Sequence, residues 1–393
     1  MPATARSVSA SAASPTPPVP EPPATALPLP TPLPPERPIY IVDPIYDPNA
    51  HAWGVLSRIL VVDPDKQEVA RTLTMRFSPE IALSADGRRL YVADSYRTRV
   101  IRGEYRDVVS MYDALTGELL VDDMPIQRRL LYKGFPNRDP FLFLSDDGRQ
   151  LYVMKYGEPD VRELRLAVLD PETLQTLHEG VLPPCGTRLQ ARSDRWVCAN
   201  TTFPVEVPDG PGVSVSLSID VVDPQRGVIL ETLFTVEDLR NGIVDLVPSG
   251  DGNRLYLIDN DAVVTVIDIQ DRTATTAGQL EVNAGWHIVG EDIVLSPDDK
   301  RLYAGFDTGD DGSQYFTDAI KVYDTTTWQS IATIELSDMM ARFALSAEGD
   351  QLYVVSPFMR SLAIFDTAMY REVAVLSDLG ETPAAVVVPP ARR

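Results

Sequence analysis

The chain of 393 residues has few of the residues that build metal and redox sites. It contains two cysteines and three histidines, and neither a CxxC nor a CxxCH sequence occurs. A thioredoxin-type redox motif and a covalently attached c-type haem are therefore excluded. His51, His178 and His287 have no second histidine or cysteine at metal-ligand spacing, so the sequence predicts no zinc site.

Long apolar runs and catalytic motifs are also missing. No stretch approaches the roughly 18 consecutive apolar residues of a membrane helix, so we predict no transmembrane segment. The GxSxG elbow, the glycine-rich phosphate loop and the HExxH motif do not occur. The acidic run at 307–312 lacks the full calcium-loop spacing, which favours a solvated hairpin tip. We expect turn carboxylates at two further acidic pairs, Asp122-Asp123 and Asp146-Asp147. The sequence predicts no catalytic residue and no metal ligand.

Positive charge is scarce as well. The formal net charge is −22, from 57 Asp and Glu against 35 Lys and Arg. In residues 1–38 two arginines cancel two glutamates, so the excess acid lies in the rest of the chain. An acidic surface repels phosphate backbones, and we expect no nucleic-acid partner. Solubility accounts for such a charge, and a complementary basic partner is the functional alternative.

The N-terminal part of the chain differs in composition from the rest. Residues 15–38 carry a proline at about every second position. Proline fixes φ and donates no hydrogen bond, so this segment favours extended polyproline II and cannot form a core. We predict a disordered proline-rich leader over 1–38, either a spacer or a semi-rigid tether. Residues 1–14 lack the basic-then-apolar layout of a secretory signal, so the protein is either cytosolic or begins after a removed signal.

From Ile39 onward the chain repeats two short signatures. The first is a strand, then Ser-x-Asp-Gly, then Leu-Tyr and another strand. It occurs at 83–94, 144–155, 248–259, 295–306 and 345–356, with a degenerate copy at 191–200. Asp-Gly between alternating apolar runs is a tight-hairpin signal, because glycine accepts the positive φ of the turn.

The second signature is a β-branched strand that ends in aspartate before a turn. It ends at seven positions, which are Asp63, Asp113, Asp170, Asp223, Asp268, Asp324 and Asp366. Their spacing matches a four-stranded propeller blade. We therefore predict an all-β fold, a seven-bladed β-propeller over residues 39–393. The first repeat lacks a Ser-x-Asp-Gly strand, and the strand-like segment 382–388 is expected to complete that blade and close the ring.

The cysteines and the aromatic residues between repeats each leave two interpretations open. The spacing of Cys185 and Cys198 fits a disulfide and a pair of buried thiols equally well. A disulfide there would stabilise the fold by about 3 kcal/mol. Aromatic side chains between repeats either fill gaps between blades or anchor partners. They are Tyr96, Tyr105, Phe135, Trp286, Tyr315, Phe316 and Phe358.

The Leu-Tyr-Val repeats are similar to the broad YVTN class of propellers. A narrower resemblance rests on PIYIVD at 38–43, RFSPEIALSADG at 76–87, and Arg102-Gly103-Glu104 with Arg106-Asp107-Val108 before the strand that ends at Asp113. These segments resemble the large subunit of methylamine and aromatic amine dehydrogenases, a seven-bladed propeller of about this length. The cysteine pair falls in the third repeat, where that family carries a short-range disulfide. Gly285-Trp286, before the fifth inner strand, also resembles a family pattern.

The resemblance implies a division of labour between two chains. In that family the large subunit does no chemistry. A small, disulfide-rich subunit carries a tryptophan-derived quinone, deaminates primary amines and passes electrons to a copper protein or a cytochrome. For this chain the resemblance implies no cofactor of its own, a heterotetramer-like assembly, a periplasmic or otherwise extracytoplasmic location, and a Cys185–Cys198 disulfide. Phe77 matches the family phenylalanine that reaches the quinone pocket, and would gate the substrate channel. Packing between blades is the alternative role.

Two departures favour a different interpretation. The family segment after that phenylalanine usually has a further proline, whereas this chain reads Glu80-Ile81. The long leader and the intact Leu-Tyr hairpins are more typical of the broad YVTN class of propellers. The alternative is therefore a stand-alone extracytoplasmic propeller that binds a protein, peptide or glycan. A propeller hydrolase or lactonase needs acid–base or metal groups converging on the central channel, and three histidines at unrelated repeat positions argue against it.

Overall fold

The computed structural model describes residues 37–46, 55–75, 80–97, 105–126, 142–156, 164–183, 185, 187–191, 194–202, 215–239, 243–308, 317–336 and 342–389. All of them lie in one compact unit, Pro34–Arg393. Of the predicted leader, only Arg37 and Pro38 are among them. This part of the chain forms strands and turns only, so it includes no helix able to cross a membrane.

The strands form seven four-stranded sheets, here called blades 1 to 7. Blade 1 contains β1 (Ile39–Tyr46), β2 (Val55–Asp63), β3 (Glu68–Met75) and the C-terminal β28 (Ala385–Val387). Blade 2 contains β4 (Glu80–Leu83), β5 (Arg89–Arg97), β6 (Tyr105–Asp113) and β7 (Leu119–Ile126). Blade 3 contains β8 (Leu142–Leu144), β9 (Leu151–Tyr156), β10 (Leu164–Leu169) and β11 (Thr176–Leu182). Blade 4 contains β12 (Thr187–Ala191), β13 (Trp196–Thr202), β14 (Val215–Asp223) and β15 (Val228–Leu239).

The last three blades follow the same plan. Blade 5 contains β16 (Asp245–Pro248), β17 (Arg254–Ile258), β18 (Val263–Asp268) and β19 (Thr273–Gln279). Blade 6 contains β20 (His287–Leu295), β21 (Arg301–Asp307), β22 (Ala319–Asp324) and β23 (Ser330–Glu335). Blade 7 contains β24 (Arg342–Leu345), β25 (Gln351–Ser356), β26 (Ser361–Asp366) and β27 (Arg371–Leu376).

Every pairing within a blade is antiparallel, and neighbours in sequence are neighbours in the sheet, except in blade 1. There the innermost strand comes from the C-terminus, and Val387 pairs with Tyr40 while Ala385 pairs with Val42. The seven-bladed propeller predicted from the repeats is therefore confirmed, together with its closure by the C-terminal strand. Closure pairs an inner edge that would otherwise be exposed.

Aspartate follows or ends the third strand of every blade because its carboxylate caps the next turn. At Asp63 the Oδ1 atom accepts hydrogen bonds from the backbone N–H groups of Asp65 (3.2 Å) and Lys66 (3.1 Å). The other six aspartates accept the same pair of bonds, from residues two and three positions on. This side-chain turn satisfies backbone donors that leave the sheet ladder.

The Ser-x-Asp-Gly hairpins use a related device. The Ser84 hydroxyl donates to Asp86 Oδ1 (2.5 Å) and accepts from the backbone N–H of Arg89 (2.9 Å). Asp146 and Asp147 lie in the equivalent turn of blade 3, as predicted. The expectation for Asp122 and Asp123 was wrong, because both belong to the outermost strand β7. An outer strand borders solvent and accepts acidic residues, so its composition imitates a turn.

Antiparallel pairing divides the connections between two faces of the ring. The hairpin face carries the Ser-x-Asp-Gly hairpins and the aspartate turns. The loop face carries the connections from the second to the third strand of each blade and from one blade to the next. The core lies between blades, and in blades 1 and 2 a tyrosine of the second strand reaches the aspartate turn of the next blade. Tyr40 donates to the Ala114 carbonyl (2.9 Å), and Tyr91 donates to the Pro171 carbonyl (3.1 Å).

Candidate binding face

The loop-face connections of blades 5 and 7 are fully described, and buried charges of blades 1 and 6 lie at this face. In blade 1 the carboxylate of Asp43, wholly buried in β1, accepts hydrogen bonds from the backbone N–H groups of Glu381 (2.8 Å) and Thr382 (2.6 Å). The Arg58 guanidinium donates to its other oxygen at 2.9 and 2.5 Å. The connection from blade 7 to blade 1 is thus fixed to a strand near the opposite end of the chain.

The same connection is also held from blade 7. Arg360, in the turn between β25 and β26, donates from Nε to the Gly380 carbonyl (2.8 Å). Its own carbonyl accepts a hydrogen bond from the Leu379 N–H (2.7 Å). The turn within blade 7 and the connection from blade 7 to blade 1 are therefore joined to each other, and the connection is also joined to Asp43.

A buried lysine has the corresponding role between blades 5 and 6. The Lys321 ammonium, in β22, donates to the Glu281 carbonyl (2.8 Å) and to Asn283 Oδ1 (3.1 Å). It also lies 5.7 Å from the centre of the Trp286 ring, which packs against Phe306. Burial lowers the pKa of this ammonium because loss of water disfavours the charge, while the negative charge of Glu281 acts in the opposite direction. Trp286 is thus a packing residue.

A third buried charge joins the innermost strands of blades 6 and 7. Asp292 lies in a bulge of β20, where the register with β21 shifts between Ile288 and Ile293. Its Oδ2 atom accepts from the Thr317 hydroxyl (2.5 Å) and from Arg342 Nη1 (2.7 Å). Since Arg342 begins β24, this ion pair links two inner strands at the loop-face end of the central channel.

The described connections of the loop face are acidic. Six acidic residues lie in them, namely Asp259, Asp261, Glu281, Asp318, Asp378 and Glu381. Arg360 is the one basic residue in these described stretches. This described part of the face therefore favours a basic partner over an acidic one.

The two cysteines form a disulfide, as the family resemblance implied. Their Cα atoms are 5.2 Å apart, and the bond ties the connection between blades 3 and 4 to β13. Both residues are buried beside Trp196, in the core between those blades. Disulfides of this kind are typical of oxidising compartments, which is consistent with an extracytoplasmic protein.

The structure describes some of the other residues considered in the sequence analysis and not others. Phe77, His51 and the block 102–104 lie outside the described residues, so the gate role of Phe77 stays a prediction. His178 lies on the outer strand β11 of blade 3, and His287 begins the inner strand β20 of blade 6. Across the stretches that the structure describes, no three His, Cys, Asp or Glu side chains meet as a metal site.

Sequence reasoning missed the three buried charges that hold the loop face. Asp43 and Lys321 each interrupt an apolar strand, in IYIVDPIY and AIKVYD. A charge inside an apolar strand costs several kcal/mol unless it is paired, so this pattern is a usable signal for a buried polar contact. Asp292 had no such signal, because its strand HIVGEDIVL also contains Glu291.

The comparisons with known proteins find the fold alone. Neither a family model nor a curated protein matches the chain. Among solved structures, a protein from Lactobacillus plantarum has a TM-score of 0.54 and 14% identity, over 90% of this chain and 99% of its own. The dihydro-heme d1 dehydrogenase NirN, in complex with DHE, has a TM-score of 0.51 and 16% identity, over 89% of this chain and 74% of its own. A putative 6-phosphogluconolactonase from Bacteroides fragilis has a TM-score of 0.51 and 15% identity, over 90% of this chain and 98% of its own.

Proposed function

We propose that this chain is a non-catalytic propeller scaffold that binds a partner at its loop face, outside the cytoplasm. The observation that supports it best is a set of three buried charges. Asp43 and Lys321 each hold an inter-blade connection in one geometry, and Asp292 links the inner strands of blades 6 and 7. Connections fixed in advance lose little conformational entropy on binding, which favours recognition. The disulfide supports the extracytoplasmic location. The solved neighbours bear different names on one fold, so the fold does not choose among activities.

Binding at the loop face is tested by purifying the tagged chain from its own organism, identifying the protein that accompanies it, and reconstituting the complex from pure components. Hydrogen exchange is then compared with and without the partner. We expect protection in residues 377–384 and 280–286 of the loop face. Protection confined to the hairpin face or to the outermost strands would contradict the proposal.

A more specific candidate is the large subunit of a periplasmic amine dehydrogenase-like quinoprotein. The Cys185–Cys198 disulfide supports it, since the resembling family carries a short-range disulfide in its third repeat. In this chain the bond joins the connection after blade 3 to β13 of blade 4. The partner would be a small subunit that bears a tryptophan-derived quinone, in a heterotetramer-like assembly. A copper protein or a cytochrome would accept its electrons. The stand-alone YVTN-type propeller that binds a protein or another ligand is the alternative form of the same scaffold.

Co-expression with a cysteine-rich small protein encoded by a neighbouring gene tests the specific form. A complex that oxidises primary amines with an artificial electron acceptor is expected, and Phe77→Ala should change which amines it accepts. Leu177→Ala, on the outer strand of blade 3, is the matched control and should leave amine preference unchanged. Failure to form such a complex would rule out the amine dehydrogenase proposal, while the general scaffold proposal would stand. Amine oxidation by the purified chain alone would reject both.

A further inference from the structure

The turn between β25 and β26 exposes two large apolar side chains on the loop face. Phe358 is 64% exposed and Met359 is 58% exposed, more than any other large hydrophobic residue that the structure describes. Single exposed apolar residues are ordinary on protein surfaces. An adjacent aromatic and methionine pair at the tip of a four-residue turn is a compact apolar projection.

The fold does not require apolar residues at this place. Blade 5 makes the same connection, between its second and third strands, with four residues as well, Asp259 to Ala262. The two central positions of that turn are Asn260 and Asp261, both exposed. A polar turn therefore serves the architecture equally well, and Phe358 and Met359 call for another role.

This apolar turn is held in place through its last residue, Arg360. Arg360 binds the Gly380 carbonyl, the Leu379 N–H binds the Arg360 carbonyl, and the next residues of that connection are fixed by Asp43. The projection is thus part of a rigid unit that spans blades 7 and 1. Apolar anchors on fixed backbone bind tightly because little freedom remains to be lost.

We propose that Phe358 and Met359 are the apolar centre of a protein-docking site, and that the partner presents an apolar pocket rimmed by Lys and Arg. The rim follows from charge, since the described loop-face connections carry six acidic residues and one arginine and the chain carries −22. Complementary charge guides encounter, and the buried aromatic supplies most of the affinity. The inference rests on the proposed scaffold function and specifies the partner of the same face.

Two display libraries of short peptides test the docking site on the full chain. One alternates Leu and Phe with Lys and Arg, and the other alternates Leu and Phe with Asp and Glu. We expect binders from the basic library only. Their affinity should fall by about tenfold or more on the double substitution Phe358→Ser and Met359→Ser, and should weaken with added salt.

Leu177→Ser is the matched control, because Leu177 is 55% exposed but lies on the outer strand of blade 3. It should leave peptide binding unchanged, and both variants should keep the thermal midpoint of the parent chain. If peptides protect the loop face from hydrogen exchange but bind the double variant as tightly as the parent, the docking site is wrong, while the proposed scaffold function stands. Enrichment from the acidic library, or no loop-face binder at all, would overturn the proposed partner chemistry. Concentration-dependent dimers abolished by the double substitution would show that a second copy is the occupant instead.

Discussion

The carboxylate of Asp43 occupies the space that a side chain at Gly380 would need. Gly380 has φ +72°, and a Cβ added there would overlap the carboxylate, with Oδ1 at 2.7 Å. The close approach lets the same carboxylate accept the N–H groups of Glu381 and Thr382. Closure of the ring therefore has two parts, the β28–β1 pairing and this contact on the loop face.

Gly380→Ala should destabilise the protein by about 3 kcal/mol or more, because it adds backbone strain and displaces a buried carboxylate from its partners. Denaturant unfolding measures the change in free energy. Hydrogen exchange should show faster opening of 377–384 than of the blade strands.

Gly87→Ala is the matched control, since Gly87 has a similar φ of +67° but the nearest atom to an added Cβ is 3.7 Å away. Gly87→Ala should lower the free energy of unfolding only by the cost of the backbone conformation, about 1 to 2 kcal/mol. Equal losses in the two variants would show that the Asp43 contact contributes nothing.

Removing the disulfide by Cys185→Ala and Cys198→Ala should lower the free energy of unfolding by about 3 kcal/mol. The two cysteines are 13 residues apart, and the bond restricts the unfolded chain between them. Chemical unfolding with and without reductant measures the same quantity in the parent chain. Two free thiols in unfolded, unreduced protein would refute the pairing.

The fold was predictable because the sequence signals that mark its turns are local and repeated. The aspartate turns and the Ser-x-Asp-Gly hairpins form their hydrogen bonds within a few residues. The turns of each blade can therefore be recognised from the local sequence. The degenerate copy in blade 4 also fits, since Trp196 stands where blades 2, 3, 5, 6 and 7 place leucine, and it packs against Phe143 and Tyr152 of blade 3. Only the first repeat lacks an innermost strand, and the C-terminal segment supplies it.

The loop face was not predictable in the same way, because its contacts join distant parts of the chain. Glu281 and Lys321 are 40 residues apart, and Glu381 is 338 residues from Asp43. Turn propensity and hydrophobic period carry no information at such separations. The sequence marks a buried charge in a strand, but its partner appears only once the blades are arranged.

Deletion of residues 1–36 should leave the thermal midpoint of unfolding unchanged. The segment is rich in proline and offers too little apolar surface to offset the entropy of ordering. Arg37 should be retained because its guanidinium lies 3.8 and 3.6 Å from the carboxylates of Glu348 and Asp350. Arg37→Ala in the shortened chain is the control and should cost less than about 1 kcal/mol, since the pair is exposed. A large loss on deletion alone would mean that the leader packs on the ring.

Asp298→Asn tests how the hairpin face responds to acid. The Ser296 hydroxyl donates to Asp298 at 2.6 Å, and with the Lys300 backbone and ammonium it lowers the pKa of this carboxyl to about 2, against the opposing effect of burial. A carboxyl with a lowered folded pKa stabilises the protein fully above its unfolded value of 3.8, and this contribution is lost as the pH falls to about 2.

The Asp298→Asn variant should therefore be less stable than the parent at pH 7, by no more than about 1 kcal/mol because the carboxylate is half exposed to screening water. The difference should shrink between pH 4 and pH 2 and vanish below, as denaturant unfolding across that range would show. Ser296→Ala is the companion variant, since it removes the largest cause of the shift. An NMR titration should then find the pKa of Asp298 closer to 3.8. A stability difference that is the same at pH 2 and pH 7 would mean that the asparagine disturbs the turn itself and that the charge is not responsible.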